Sequence, residues 1–283
     1  MASIGEKKAE IKSWISSQQD IQDVSDEEID LFLHSCYEDT ENAKKCIQVY
    51  NLSRRNLPEI FGDRDPTGTS VQNILKCFQI IFPNEKTDED HAVIIIRSND
   101  PSSDLFDMNA LFKAYFMTID ALTIENPRCE GLQLIFDTTG SSFSHLRKMN
   151  FSGVQKCIKY LEEGMPVRTK GLHVINLTFV MVKIIQLIKS FVSSESDDMR
   201  YFHSSSNLET LYKYVPRRCL PEEYGGTLGP SKDLNDKNIE RLIKYRDYFV
   251  GDKFRPVPVG KSNGDENRMK ADEDLSMEKL SIE

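Results

Sequence analysis

The chain carries few of the residue patterns that announce a metal, a nucleotide or a catalytic centre. Its six cysteines, Cys36, Cys46, Cys77, Cys129, Cys157 and Cys219, contain no Cys-x-x-Cys spacing. That excludes the zinc ribbons and redox motifs built on such pairs, and the expectation is six reduced thiols packed as small hydrophobes. The five histidines are dispersed, with no His-Glu-x-x-His helix, and Ser144 sits in no Gly-x-Ser-x-Gly elbow. Excess positive charge is lacking too. The formal net charge is −9, and an acidic surface repels phosphate backbones, so nucleic acid is not an expected partner. The opening Met-Ala-Ser-Ile-Gly-Glu-Lys-Lys has no apolar leader core, which sets the expectation of a cytoplasmic protein.

Three fragments look like functional motifs and fail on their surroundings. Gly260-Lys261-Ser262 ends like a phosphate-binding loop, but Arg255 stands where its first glycine belongs and no strand precedes it. Asp63-x-Asp65-x-Thr67-Gly68 begins like a calcium loop, but its twelfth position is Ile74 rather than a glutamate. Asp137, Ser144 and His145 supply the residue types of a hydrolase triad. Adjacent residues such as Ser144 and His145 rarely aim their side chains at one another productively. The expectation is therefore a protein without metal, cofactor or catalysis.

What is present is a rhythm of elements. Ser25-Asp26-Glu27-Glu28 is a capping box that launches Ile29, Leu31, Phe32, Leu33 and Cys36. Asp39 or Thr40 caps a second helix, which carries Ala43, Cys46, Ile47, Tyr50 and Leu52 and stops before Pro58. Turn residues from Gly62 to Gly68 mark a boundary. Beyond it, His91–Arg97, Gly131–Asp137 and Gly171–Leu177 read as strands, with Arg200–His203 a possible fourth. Helices are predicted over Leu105–Ile124, Phe151–Gly164 and Phe179–Phe191. Strands alternating with helices predict an α/β fold with a mainly parallel sheet. The division predicted is 1–68 for an N-terminal all-helical lobe, 69–250 for the α/β domain and 251–283 for a disordered tail rich in Pro, Gly, Ser and charge.

The segment Val174–Val192 is nearly apolar and almost long enough to span a bilayer. It begins as a strand, however, and Lys183, Gln186 and Lys189 interrupt it. On a helix, Lys183, Gln186 and Ser190 share one narrow face, and apolar side chains cover the rest. That is more apolar surface than a helix lying on a sheet needs. Either the helix is buried nearly all round, or it is a lid over an apolar cavity. A guest with about ten buried methylenes gains roughly 8 kcal/mol at ~0.8 kcal/mol each, so such a cavity needs little besides hydrocarbon lining.

At this point the residues resemble a known family. Ile135-Phe136-Asp137-Thr138-Thr139-Gly140, Phe143-Ser144-His145, Met165-Pro166-Val167-Arg168, Gly171-Leu172-His173-Val174-Ile175-Asn176 and Leu220-Pro221-Glu222-Glu223-Tyr224-Gly225-Gly226 occur in order. Together they are similar to CRAL-TRIO lipid-binding proteins, in the branch of alpha-tocopherol transfer protein and cellular retinaldehyde-binding protein, over about residues 10–250. The resemblance implies a sheet floor with flanking helices, and a mobile gate helix matching Phe179–Phe191. It implies a non-catalytic carrier that moves a retinoid, carotenoid, tocopherol or similar molecule between membranes. A phospholipid or phosphatidylinositol exchanger is the alternative. Lining positions carried over are Leu134, Phe143, Met149, Cys157, Leu161, Met165, Val167 and Leu172, with Val180, Ile184, Ile188 and Phe191 from the gate. Ser144 offers one hydroxyl to a polar head. Contacts to a membrane or phosphoinositide fall to Arg54, Arg168, Lys183 and Lys189. The sequence departs from the family at Glu195 and Met199, where basic residues are expected, and at Ser141, where the family has an aromatic. The implied partners are one hydrophobic ligand and a transient membrane surface, met by a monomer.

Overall fold

The computed structural model describes residues 2–21, 24–99, 104–204 and 206–251. The N-terminal part consists of α1 (Ile4–Ser16), α2 (Asp26–Ser35), α3 (Thr40–Asn56) and α4 (Pro58–Phe61). Each of the first three starts where a side chain takes up N–H groups that the opening turn leaves unpaired. Ser3 with Glu6, and Ser25 with Glu28, form reciprocal capping boxes, and Asp39 accepts from the Asn42 N–H. Ile11, Ile29, Phe32, Leu33, Ala43, Cys46 and Ile47 pack into a small core of their own. The short α4 belongs elsewhere, because Leu57, Ile60 and Phe61 are buried in the main core.

α5 (Thr69–Cys77) runs directly into β1 (Phe78–Ile81), a strand absent from the sequence reading. Phe-Gln-Ile-Ile follows the helix with no glycine or proline to mark a change, and four residues carry no periodic signal. β1 pairs antiparallel with β2 (His91–Ser98). Every later pairing is parallel: β2 with β3 (Gly131–Asp137), β3 with β4 (Thr169–Ile175) and β4 with β5 (Arg200–His203). The crossovers are α6 (Met108–Glu125), then α7 (Phe143–Arg147) with α8 (Phe151–Lys159), then α9 (Phe179–Ile188) with α10 (Ser194–Asp198). α8 continues as a π-helical turn, Tyr160–Gly164, and α9 ends in a 3-10 turn, Lys189–Phe191. α11 (Glu209–Tyr212), α12 (Ser231–Lys244) and α13 (Arg246–Val250) complete the described chain.

The predicted α/β architecture with a helical lobe in front is thus the one observed. β4 begins and ends two residues earlier than the sequence reading placed it, because Asn176 turns to φ 58° and ends the extended run. The proposed tail, including Leu275, Met277 and Leu280, lies outside the described residues beyond Gly251.

Strand order equals chain order, β1-β2-β3-β4-β5. Right-handed crossovers in an unreversed order place their helices on one side of the sheet. The opposite face is covered by the C-terminal run, where Val93, Ile95, Ile135 and Ile175 meet Leu211, Val215, Leu220 and Tyr224.

Candidate ligand-binding site

Side chains alternate across each strand, so one helix-covered face carries Ala92, Ile94 and Ile96 of β2, then Leu132, Leu134 and Phe136 of β3. Register continues it: Leu172 lies beside Leu134, Val174 beside Phe136, and Phe202 of β5 beside Val174. The β2 end of this face is sealed, since Ala92, Ile94, Ile96 and Leu132 are buried against the main core. Toward β5 the cover thins. Leu134, Phe136 and Leu172 are only half-buried, and Phe202 keeps 51% of its surface exposed. The sheet therefore offers an apolar floor that the chain's own side chains do not finish covering.

α9 is the greasy element nearest that floor in the chain. Thr178 caps it by accepting from the Met181 N–H, and it packs against α7 and α8. Of its ten residues only Val180 and Ile184 are buried, each 8% exposed. Met181, Val182, Ile185, Leu187 and Ile188 are half-buried, and Phe179 is 66% exposed. The Phe179 ring lies 6.3 Å from that of Phe143 on α7, and Lys183 sits 5.8 Å from the Phe179 ring centre. Among the described residues no helix is long and apolar enough to cross a membrane.

The expected lining positions separate into three groups. Leu134 and Leu172 are neighbours on the floor, and Val180 and Ile184 form the inner side of α9, with Ile188 and Phe191 half-buried after them. Cys157, Met165 and Val167 are buried in the main core, with half-buried Leu161 against it. Met149 is half-buried, and Phe143 and Ser144 are exposed. The Ser144 hydroxyl meets that of Ser142 at 2.7 Å. Phe136 and Phe202 were missed by the sequence reading, although period-two alternation from Leu134 and across the β5 register marks both.

The basic positions divide in the same way. The headgroup contact expected of Arg54 is overturned. Arg54 is 4% exposed, and its guanidinium grips Asp120 of α6, with Nη2 2.5 Å from Oδ1, while Arg64 holds the other oxygen and the Tyr160 hydroxyl accepts from Arg54 at 3.0 Å. A lone carboxylate inside an apolar helix demands such partners. Arg168 lies at the seam between the lobes, bonded to His34 and Glu130 and lying over the Tyr37 ring. Lys189 is exposed, with Asp197 4.0 Å away, and Asp197 also pairs with Arg200.

The family-like motifs meet on the other face. Asp137 Oδ1 accepts from the Thr139 N–H and hydroxyl and from Asn176 Nδ2, and Oδ2 accepts from the Tyr224 hydroxyl. Burial pushes this carboxyl upward, but the hydrogen bonds from Asn176, Thr139 and Tyr224 more than offset it, leaving it below its ordinary value. Gly225 takes φ 69°, and a Cβ on Gly226 would sit 1.8 Å from the Leu220 carbonyl oxygen, so the Tyr-Gly-Gly turn tolerates nothing larger there. A polar cleft of about 220 Å³ lies beside these residues, walled in part by Arg97, Asp137, Asn176, Glu223 and Tyr224. Asp137 is thus committed to the scaffold. His145 Nδ1 bonds Ser142 in a cap of α7. The calcium-like Asp65 is likewise committed, to Thr67 and Arg246. Among the described residues no three His, Cys, Asp or Glu gather to hold a metal ion.

A one-sided α/β lobe, with an unfinished apolar floor and a greasy crossover helix, defines the class of the molecule. The chain belongs to the CRAL/TRIO domain family, whose model matches residues 79–226, and a Pinta-like UBA domain model matches residues 2–71. It is 28% identical over 230 residues to the alpha-tocopherol transfer protein-like protein of Homo sapiens, covering 81% of this chain and 66%, just under two thirds, of that one. It is 28% identical over 187 residues to Clavesin-1 of Rattus norvegicus, covering 60% of this chain and 52% of the other. The crystal structure of Sfh5 shares the fold, with a TM-score of 0.54 at 15% identity over 88% of this chain and 98% of that chain. Members of the family bind and transfer lipophilic ligands.

Proposed function

We propose that the chain is a non-catalytic carrier. It holds one hydrophobic small molecule of the retinoid, carotenoid or tocopherol type between the sheet floor and α9, and hands it between membranes. The observation that carries this reading is the incompletely covered apolar surface of Leu134, Phe136, Leu172 and Phe202 on one face of the sheet. A buried hydrocarbon guest completes that surface and supplies most of its own binding energy. In this reading residues 69–250 form the carrier domain and 1–68 a helical lobe docked on it. The protein acts as a cytoplasmic monomer, and the exposed Phe143, Leu177 and Phe179 meet the bilayer transiently beside Lys183 and Lys189.

Native mass spectrometry of the purified protein, with extraction of whatever it retains, tests the cargo class. A phosphorus-free apolar molecule is the expected result. A retained phospholipid moves the reading to lipid exchange, and a protein that takes up neither class sinks both. Ile184→Asp places a carboxylate against the cargo. It is expected to abolish transfer between vesicles while the circular dichroism spectrum stays folded, and unimpaired transfer counts against α9 as the lid.

A further inference from the structure

Val180 and Ile184 hold the body of α9. Its exit runs through the 3-10 turn Lys189–Phe191 to Ser193, which caps α10, and that exit is tied to a carboxylate. Glu162, in the π-helical turn that continues α8, accepts from the Ser193 N–H at 3.1 Å and from the Ser193 hydroxyl at 3.2 Å. The Ser193 oxygen in turn accepts from the Ser196 N–H at 3.2 Å. Leu161, beside Glu162 in the same π-turn, packs against the main core. One serine therefore latches the end of the greasy crossover helix to the body of the carrier lobe.

The latch is open to solvent. Ser193 and Ser194 are exposed, and Glu162 is half-buried. α10 has five residues and buries none of them. A helix that short has little stability of its own, so this segment opens without disturbing a core. Its sequence is acidic as well. Ser193 is followed by Ser194-Glu195-Ser196-Asp197-Asp198, with carboxylates two, four and five positions on. Such a segment complements a basic peptide-binding groove. The cations of the turn face inward to the same acid: Lys189 lies 4.0 Å from Asp197, and Arg200 pairs with Asp197.

We propose that Ser193 is a phosphorylation site whose phosphate unfastens the exit of α9. The modifying enzyme is an acidic-directed serine kinase, and the phosphoryl donor is a nucleoside triphosphate. The Ser193 hydroxyl oxygen bonds to the γ-phosphorus, and the bond from that phosphorus to the β–γ bridging oxygen breaks. The nucleoside diphosphate leaves, and the hydroxyl proton passes to the kinase's base. A hydroxyl donor is thereby replaced by a group of charge about −1.5 to −2 beside the carboxylate it satisfied. Attraction at Glu162 becomes repulsion, and the N–H bond is lost with that of the hydroxyl. The latch stands on its own geometry; its consequence for cargo rests on the reading of α9 as the lid.

The test has two arms on the full-length protein. In the first, an acidic-directed serine kinase and ATP are added, and mass spectrometry is expected to find phosphate on Ser193. Modification confined to Ser194 or Ser196, or none at all, overturns the site. In the second, phosphoserine is installed at position 193 by encoded synthesis, and hydrogen exchange is followed across α9 and Val192–Asp198. Loss of one hydrogen bond to a charged group predicts exchange faster by roughly tenfold or more. In Glu162→Gln the neutral amide neither repels the phosphate nor lacks a donor for it, so the acceleration is expected to vanish. Unchanged exchange, or equal acceleration in Glu162→Gln, overturns the latch. Exchange needs no cargo, so this result is separate from the carrier reading. Faster exchange with unaltered release of cargo into cyclodextrin upholds the latch and counts against α9 as the lid.

Discussion

The hydroxyl of Tyr224 donates to the carboxylate of Asp137 at 2.9 Å, although 87 residues separate them in the chain. Asn176 donates to the other oxygen at 2.8 Å. The Phe-Asp-x-x-Gly turn after β3, the Asn that ends β4 and the Leu-Pro-Glu-Glu-Tyr-Gly-Gly loop are therefore one knot, tied behind the sheet on the face away from α9. Tyr224→Phe removes one hydrogen bond to a charged group, which costs about 1.5–3 kcal/mol. The urea midpoint is expected to fall accordingly with an unchanged slope. Because the knot does not touch the floor, cargo uptake per folded molecule stays the same. A variant as stable as the parent means the bond contributes nothing net.

Across the same face runs a polar chain. Thr210 meets His203, His203 meets His173 at 2.9 Å, His173 meets Gln133 at 2.9 Å, and Gln133 meets His91 at 3.1 Å. Burial, with a smaller contribution from His203, pushes His173 down from 6.5 to about 3. The folded state thus favours neutral imidazole. Its stabilising effect is complete above pH 6.5, where the unfolded chain is also neutral, and drains away as the pH falls toward 3. Over that window this one group removes up to about 5 kcal/mol. Denaturant midpoints measured from pH 7.5 to pH 4 are expected to decline steadily, and His173→Phe, lower throughout, is expected to decline with a shallower slope. An identical slope in the variant assigns the acid sensitivity to other groups.

Arg54→Ala tests the corrected reading of that residue. It strands Asp120 in the core with Arg64 as its remaining cationic partner, and breaking a buried pair costs about 3–5 kcal/mol. The melting temperature is expected to drop steeply. Binding to phosphoinositide vesicles, normalised to folded protein, is expected to be unchanged. A selective loss of vesicle binding at full stability restores the headgroup role.

The same residue shows why some of the molecule was legible in the sequence and some was not. β2 and β3 are long, β-branched or apolar runs with turn residues around them, so local pattern sufficed. A headgroup role for Arg54 rests on resemblance alone, and its partner stands 66 residues further on. The available signal was Asp120, a carboxylate inside Met117-Thr118-Ile119-Asp120-Ala121-Leu122, which has to find a cation when that helix is buried. The floor was half legible. Leu134 and Leu172 followed from resemblance, whereas Phe202 needed the β4–β5 register, a long-range pairing that no local window contains.

Phe143 and Phe179 close the gap between α7 and α9 with a tilted ring pair on the surface. Such pairs contribute about 0.5–1.5 kcal/mol beyond simple area burial. If that energy holds α9 shut, Phe179→Ala shifts the open population by a factor of roughly 2–10. Phe179 is also 66% exposed, so its loss weakens any grip on a bilayer, and the two effects oppose each other in a vesicle assay. Release into a soluble acceptor such as cyclodextrin isolates the first: it is expected to speed up by that factor. Transfer to vesicles is expected to gain less, or to fall. Equal cyclodextrin rates in parent and variant mean that the ring pair does not restrain the lid, and the hold on α9 must then come from Val180 and Ile184 beneath it.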